Sequence, residues 1–351
     1  MQLESIIDQI APLDDPAMEA ARARQDALTK PTGSLGRLEA LSIRLAGVFG
    51  QPTPEIRHKV VLTMAGDHGV VDEGVSAYPR QVTALMVDNF LRGGAAINVL
   101  ARHVGARVVV VDMGVAAELA LKADLVVKKV APGTANIARG PAMSREQALQ
   151  ALTAGADVVE AELERGLDIL GIGEMGIGNT TPSAAIAAAL MGCPPHDLVG
   201  RGTGVDDDGL TRKALAVQRA LSVNRPDPAD ALDVLAKVGG FEIGGMAGAM
   251  LAAAAHRRPV VVDGFISTAA AMIAVGLAPQ VRPYLIAAHC SQERGHRAML
   301  DWLNLDPLLD LDMRLGEGTG AALAISLAEA ACRILREMAT FEDAGIPGKM
   351  E

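Results

Sequence analysis

At 351 residues, half hydrophobic and only 2% aromatic, with 32 basic against 42 acidic side chains for a formal charge of −10, the chain is a folding globular protein long enough for one large core or two domains. So acidic a surface repels polyphosphate backbones, and so few rings offer no stacking platform. DNA and RNA are thereby excluded as partners, while a small anionic substrate held by local donors is not.

Three cysteines far apart (Cys193, Cys290 and Cys332) argue for a reducing compartment, and the acid-bearing N-terminus lacks a signal peptide's apolar core, so the expected location is the cytoplasm. The segment to about Phe49 reads as helical, with a Gly/Pro break at KPTGSLGRLE (Lys30 to Glu39). A repeating grammar then begins: a short β-branched run, a Gly-containing polar corner, and an Ala-rich helical stretch. The runs are KVVLTMAGDHG from Lys59, ARVVVVDMG from Ala106, LDILGIGEMG from Leu167, RPVVVDGF from Arg258 and PYLIAAHCS from Pro283. LVVKKV, from Leu125, is a further candidate. Each run is continuously apolar, as parallel strands covered on both faces of an α/β sheet should be.

Between the runs, Ser144 and Gln147 fit a capping box, and Asp206, Asp207 and Asp208 put acids at the start of LTRKALAVQRAL. The uncharged stretch from Ile243 to Ala255 is too short to span a bilayer and predicts a buried helix. A last amphipathic helix is expected from about Thr319 to Met338, returning toward the N-terminal helices.

Ligands of such sheets bind beyond the carboxyl ends of the strands, which singles out Asp67, His68, Asp112, Glu174, Asp263, His289 and Ser291. GIGEMGIGNTTPSAA (Gly171 to Ala185) describes a strand, a tight loop and a helix start, where glycines allow close approach and helix N–H groups supply donors. A phosphate fits there; the plain alternative is a Gly-rich turn without ligand. GRGTGVDDDGLTRK is a second such loop, and Lys213 inside its helix is either a phosphate's point charge or a solvated lysine. Glu317, between two glycines ahead of the last helix, is either a dipole-complementing acid or a general base whose pKa burial raises. Glu174 offers a second carboxylate. Asp67 and His68 read as a hydrogen-bonded strand end that fixes the following loop. His289, Cys290, Glu293 and His296 are zinc-ligating types at a spacing that matches no standard site.

Taken together, KPTGSLGRLE, AGDHGV, EGVSAYP, NFLRGGAAINVLA, GIGEMGIGNTTPSAA, GRGTG, GGFEIGGMAGA, VVDGFISTAAA, AHCSQERGH and RLGEGTGAA resemble the nicotinate-nucleotide–dimethylbenzimidazole phosphoribosyltransferases of cobalamin lower-ligand assembly. The resemblance runs over nearly the whole chain. It implies a Rossmann-like, mostly parallel sheet with helices on both faces, a large α/β catalytic domain over 51–304, and a small helical domain from 1–50 with 305–351. It also implies a homodimer without metal or redox cofactor, acting on nicotinate mononucleotide and benzimidazole-type bases. The family's base falls on Glu317, with Glu174 as second carboxylate. Gly176, Gly178, Asn179, Thr180, Gly202, Gly204 and Lys213 would cradle the 5′-phosphate, with Asp263 and Ser291 near the ribose or nicotinate. Ser76, Tyr78, Gln81, Met175 and Leu315 would form the acceptor slot.

Three other readings stay open on the residues alone. A transferase using the pyrophosphate donor needs paired acids at a strand end, where VVVVDMG offers only Asp112. A dinucleotide oxidoreductase needs GxGxxG, and GIGEMGIG has altered spacing. A non-catalytic nucleotide-binding module would leave both glutamates idle.

Overall fold

The computed structural model describes residues 3–119, 122–202 and 204–347. Three helices open the chain: α1 (Leu3–Asp8), α2 (Asp15–Ala27) and α3 (Arg37–Phe49). The Gly/Pro break falls between the last two. Then β1 (Lys59–Gly66), α4 (Val82–Leu91), α5 (Ala96–Val104), β2 (Ala106–Gly114) and β3 (Leu125–Val127) build one half of a sheet. Next, α6 (Arg145–Glu164) returns the chain to the centre for β4 (Ile169–Met175). Helices α7 (Thr180–Met191), α8 (Pro195–Leu198), α9 (Asp207–Asn224), α10 (Ala231–Val238) and α11 (Phe241–Ala255) precede β5 (Val260–Val262). The chain continues as α12 (Phe265–Leu277), β6 (Leu285–Ala287), α13 (His296–Leu303) and α14 (Thr319–Glu337).

Cap chemistry sets several of these boundaries. Ser144 Oγ accepts from Gln147 N at 3.2 Å while Gln147 Oε1 accepts from Ser144 N at 3.0 Å, the reciprocal box that starts α6. Asp206 accepts from Gly209 N at 2.8 Å and starts α9. At the far end of α14, the Arg24 guanidinium donates to the carbonyls of Arg336 (3.1 Å) and Met338 (3.2 Å), a cation on a helix C-terminus.

The strands form one all-parallel sheet in the order β3-β2-β1-β4-β5-β6. The order reverses between β1 and β4, and the crevice at their carboxyl ends is where an open α/β sheet takes its ligand. The continuous apolar runs are explained by the two covered faces. Val60, Leu62, Met64, Leu170 and Ile172 face α6, α7, α11 and α12, whereas Val61, Ala65, Ile169 and Val261 face α4, α5 and α14. Strands β5 and β6 stop after three residues each, because the chain turns into Asp263–Gly264 and Ala288–His289 at the crevice. Helix α14 packs on α2 and α3, and it also lies over β1, β4 and β5.

Among the described residues no helix is long and apolar enough to cross a membrane. Helix α11 is buried along almost its whole length, and its glycines let α6 approach backbone to backbone. A Cβ on Gly155 would overlap the Gly245 carbonyl, and one on Gly248 would overlap Leu152. Gly155→Ala should therefore cost about 1–3 kcal/mol or more through overpacking. Gly140→Ala, whose new methyl meets nothing within 4 Å, should be neutral or stabilising by about 0.4–1 kcal/mol. Urea denaturation of both variants checks this; equal midpoints would contradict the packing argument.

Candidate active site

Glu317 occupies the turn into α14 with φ +64°, between Gly316 (+85°) and Gly318 (+95°). A left-handed non-glycine is uncommon and needs support from its surroundings. Several elements supply it. Thr63 Oγ1 of β1 donates to the Glu317 carbonyl at 3.0 Å. Asp263, at the end of β5, accepts from Gly318 N (3.2 Å) and Ala321 N (2.9 Å), capping α14 in place of a glycine that has no side chain. Ile97 N, in the first turn of α5, donates to Glu317 Oε2 at 3.2 Å.

The carboxylate thus sits on the positive end of a helix. Burial raises the Glu317 pKa, the Ile97 bond opposes that rise, and nearby Asp263 adds to it.

Glu174, the second-last residue of β4, faces the same space. It is brought to Glu317 by the glycine before it. Thr63 and Gly173 are neighbours in the β1–β4 register, and a Cβ on Gly173 would overlap the Glu317 carbonyl and the Gly318 nitrogen. The Glu174 carboxyl accepts from the Asn179 amide. Burial pushes its pKa up to about 8; the Asn179 bond works against this, while Glu242, Asp263 and Glu317 add to it. One carboxyl is therefore tied to a helix N-terminus and the other holds its proton near neutral pH.

Asp263 is 2% exposed with both oxygens committed to α14, so it positions the Glu317 turn as well as lining the cavity. Burial raises its pKa and His289, 4.0 Å away, opposes that. His296 Nδ1 accepts from Ser291 N at 2.7 Å, which leaves the proton on Nε2, 2.8 Å from Thr268 Oγ1. Thr268 in turn donates to the Gly264 carbonyl at 2.7 Å. Burial first, then His289 and Arg297, depress the His296 pKa to about 3, so this chain is neutral and fixes Ser291 and Gly264. Among the described residues no group of His, Cys, Asp and Glu gathers to hold a metal ion. Asp67 Oδ2 accepts from Ala116 N (2.7 Å) and His68 pairs with Glu242 (2.7 Å), fixing the strand end as expected.

The phosphate-type loops meet. Lys213 is buried in α9 and donates to Thr180 Oγ1 and to the Gly200 carbonyl, both at 2.9 Å. Burial lowers its pKa to about 8, with Glu293 opposing. A Cβ on Gly202 (φ +52°) would lie 2.9 Å from Lys213 Nζ and 3.0 Å from Thr180 Oγ1, so the turn needs glycine. Thr180 also begins α7, so Lys213 ties the start of that helix to the Gly200–Gly204 loop.

A cavity of about 410 Å³ joins these parts. Of the residues singled out in the sequence, Glu174, Glu317, Gly176, Asn179, Thr180, Gly202, Asp263, Ser291, Tyr78, Met175 and Leu315 line it. Lys213 stands behind Thr180 and Gly202. Gly204 lines an adjoining cavity of about 350 Å³, and Gly178, with φ +88°, packs toward Val71 in the β4–α7 turn. Ser76 and Gln81 lie outside the lining; Ser76 Oγ accepts from Tyr78 N at 3.2 Å. The sequence reading missed Val82, Met86, Phe265 and Arg314, which also line the cavity, along with Ile177, Gly264, Ile266 and Ser267. An amphipathic start to α4 and a charge three residues before Glu317 were the available signals.

A Rossmann-ordered parallel sheet with two buried carboxylates and a cationic Gly/Thr cradle at its switch point is the frame of a nucleotide-dependent group-transfer enzyme. The chain belongs to the phosphoribosyltransferase family, whose pattern it matches over residues 10–346. Within that family it belongs with the nicotinate-nucleotide–dimethylbenzimidazole phosphoribosyltransferases. It is 62% identical to the enzyme so named from Roseiflexus sp. (strain RS-1), over 99% of each chain, and 60% identical to that from Desulforudis audaxviator (strain MP104C), over 98% of each. The crystal structure of CobT from Thermus thermophilus superposes with a TM-score of 0.92 at 50% identity, covering 95% of this chain and 100% of that one.

The Gly173 contact yields a direct test. Gly173→Ala should displace the Glu317 turn and cut turnover by about 10²-fold or more. Gly171→Ala, whose nearest contacts are side chains at 3.1–3.3 Å, should cost far less. Steady-state kinetics on both variants decides; equal losses would remove the special status of Gly173.

Proposed function

We propose that the chain transfers the 5-phosphoribosyl group of nicotinate mononucleotide to 5,6-dimethylbenzimidazole, giving α-ribazole 5′-phosphate and nicotinate. The observation that carries this reading is the pair of unlike buried carboxyls over one cavity that reaches a cationic phosphate cradle. The donor's ring nitrogen is cationic, so when the C1′–N bond breaks its electron pair returns to the ring and nicotinate leaves with a neutral nitrogen. The acceptor's unprotonated ring nitrogen forms the new bond to C1′. Its other N–H grows acidic as charge builds, and that proton passes to Glu317. A general base of this kind contributes about 10²–10⁴-fold.

Attack from the face opposite the leaving group inverts C1′, from β-riboside to α-riboside. Holding two planar rings on either side of one ribose supplies much of the remaining rate. In the ligand-free protein, burial pushes the Glu174 pKa up to about 8. An arriving pyridinium cation favours its ionised form, which then stabilises positive charge developing at the ribose. Tyr78, Val82, Met86, Met175, Phe265 and Leu315 offer a flat apolar ring their faces and polarisable sulfurs. The pyrophosphate-donor reading loses support here. Asp112 accepts from Val115 N (2.9 Å) and pairs with Lys129 (3.2 Å), outside the cavity lining. A homodimer acting in the cytoplasm on these two small molecules belongs to the same proposal.

The test is incubation with nicotinate mononucleotide and dimethylbenzimidazole, without metal, following nicotinate and α-ribazole phosphate by chromatography. Wild-type product with a loss of about 10² or more in Glu317→Gln is expected. Similar rates from both would remove Glu317 from its role, and no product with any of several azoles would overturn the reading.

A further inference from the structure

Arg314 lies in the segment leading into the Glu317 turn and lines both the 410 Å³ cavity and the adjoining 350 Å³ one. Its Nη1 donates to the Gly202 carbonyl at 3.2 Å. Lys213 Nζ lies 2.9 Å from where a Gly202 Cβ would be. Two cations from distant parts of the chain thus meet the Gly200–Gly202 segment, Lys213 at the Gly200 carbonyl and Arg314 at the Gly202 carbonyl. Lys213 already spends two of its three N–H groups on Thr180 and Gly200. A guanidinium has five donors in a planar fork that suits phosphate oxygens. Glu293 is the carboxylate facing this region, lining both cavities, and its repulsion of an anion is what a second cation offsets.

We propose that Arg314 is a second cationic anchor for the donor's 5′-phosphate, and that phosphate binding through it helps set the position of Glu317. The link is short. Leu315 and Gly316 separate the guanidinium-bearing residue from the catalytic one. Thr63, Asp263 and Ile97 fix Glu317 and the residues after it, while Arg314 ties the preceding segment to the phosphate loop. Binding energy at the phosphate then appears in the chemical step as well as in affinity. The inference rests on the phosphoribosyl-transfer reading and assigns Arg314 a place in it.

The experiment compares wild type, Arg314→Ala and Arg314→Lys with nicotinate mononucleotide and with nicotinate riboside, which lacks the phosphate. Calorimetric titration with inorganic phosphate runs alongside, and circular dichroism checks the fold. The wild-type preference for the nucleotide, as a ratio of kcat/KM values, should shrink roughly 10- to 100-fold in Arg314→Ala. Part of that loss should lie in kcat, inorganic phosphate should bind more weakly, and Arg314→Lys should recover part of both. An unchanged preference with unchanged phosphate affinity would overturn the proposal and leave Arg314 as loop packing. A wild type that makes product from neither donor would instead overturn the parent reading; the phosphate titration would still decide whether Arg314 binds the anion.

Discussion

The arrangement depends on one close approach, that of the Glu317 backbone to Gly173 in the middle of the sheet. No side chain can stand at Gly173 while the start of α14 lies on β4. Because it does lie there, the carbonyl of Glu317 reaches Thr63 on β1, and the N–H of Gly318 reaches Asp263 at the end of β5. Three adjacent strands thereby fix one left-handed turn, and α5 receives its carboxylate. A residue in a sparsely populated conformation persists only when its surroundings over-determine it. Here the hydrogen bonds that stabilise it come from β1 and from the end of β5, on either side of β4, so the site inherits the rigidity of the sheet.

The same approach sets the electrostatics. Glu174, Asp263 and Glu317 surround one cavity, and burial is the largest cause of the raised pKa of each; Asp263 adds to the rise of both glutamates, and Glu317 to that of Glu174. They differ in what they accept. Asp263 receives two N–H groups at the start of α14, and Glu317 one at the start of α5. Glu174 receives a side-chain amide. Burial pushes the Glu174 pKa up to about 8, and under the proposed reaction Glu317 is the base. An acidic cavity also suits the proposed donor, whose leaving ring is a cation, with Lys213 and Arg314 set beside the Gly202 turn.

Much of this is legible in the sequence because it is local. Continuous apolar runs mark the strands, Ser144–Gln147 and Asp206 mark helix starts, and the uncharged Ile243–Ala255 segment marks a buried helix. The glycines of GIGEMGIG read in sequence as room for a phosphate. The structure divides them: Gly171 and Gly173 admit α14, arriving from the far end of the chain, while Gly176 and Gly178 shape the loop. Periodicity carries no record of which distant backbone a glycine accommodates. Asp263 is visible as a strand-end acid but not as the cap of α14, since the partner N–H groups lie more than fifty residues away. Val82, Met86 and Phe265 look like ordinary core positions because apolar residues that face a cavity and those that face a core share one pattern.

Under the proposed reaction Glu317 gives up its proton before Glu174 does. Carboxyl-labelled glutamate followed by carbon NMR against pH, with Glu174→Gln and Glu317→Gln used for assignment, measures it directly in the ligand-free protein. The account predicts that the resonance lost in Glu174→Gln remains protonated until about pH 8, and that the one lost in Glu317→Gln ionises at lower pH. The opposite order, or Glu174 ionised at neutral pH, would contradict it.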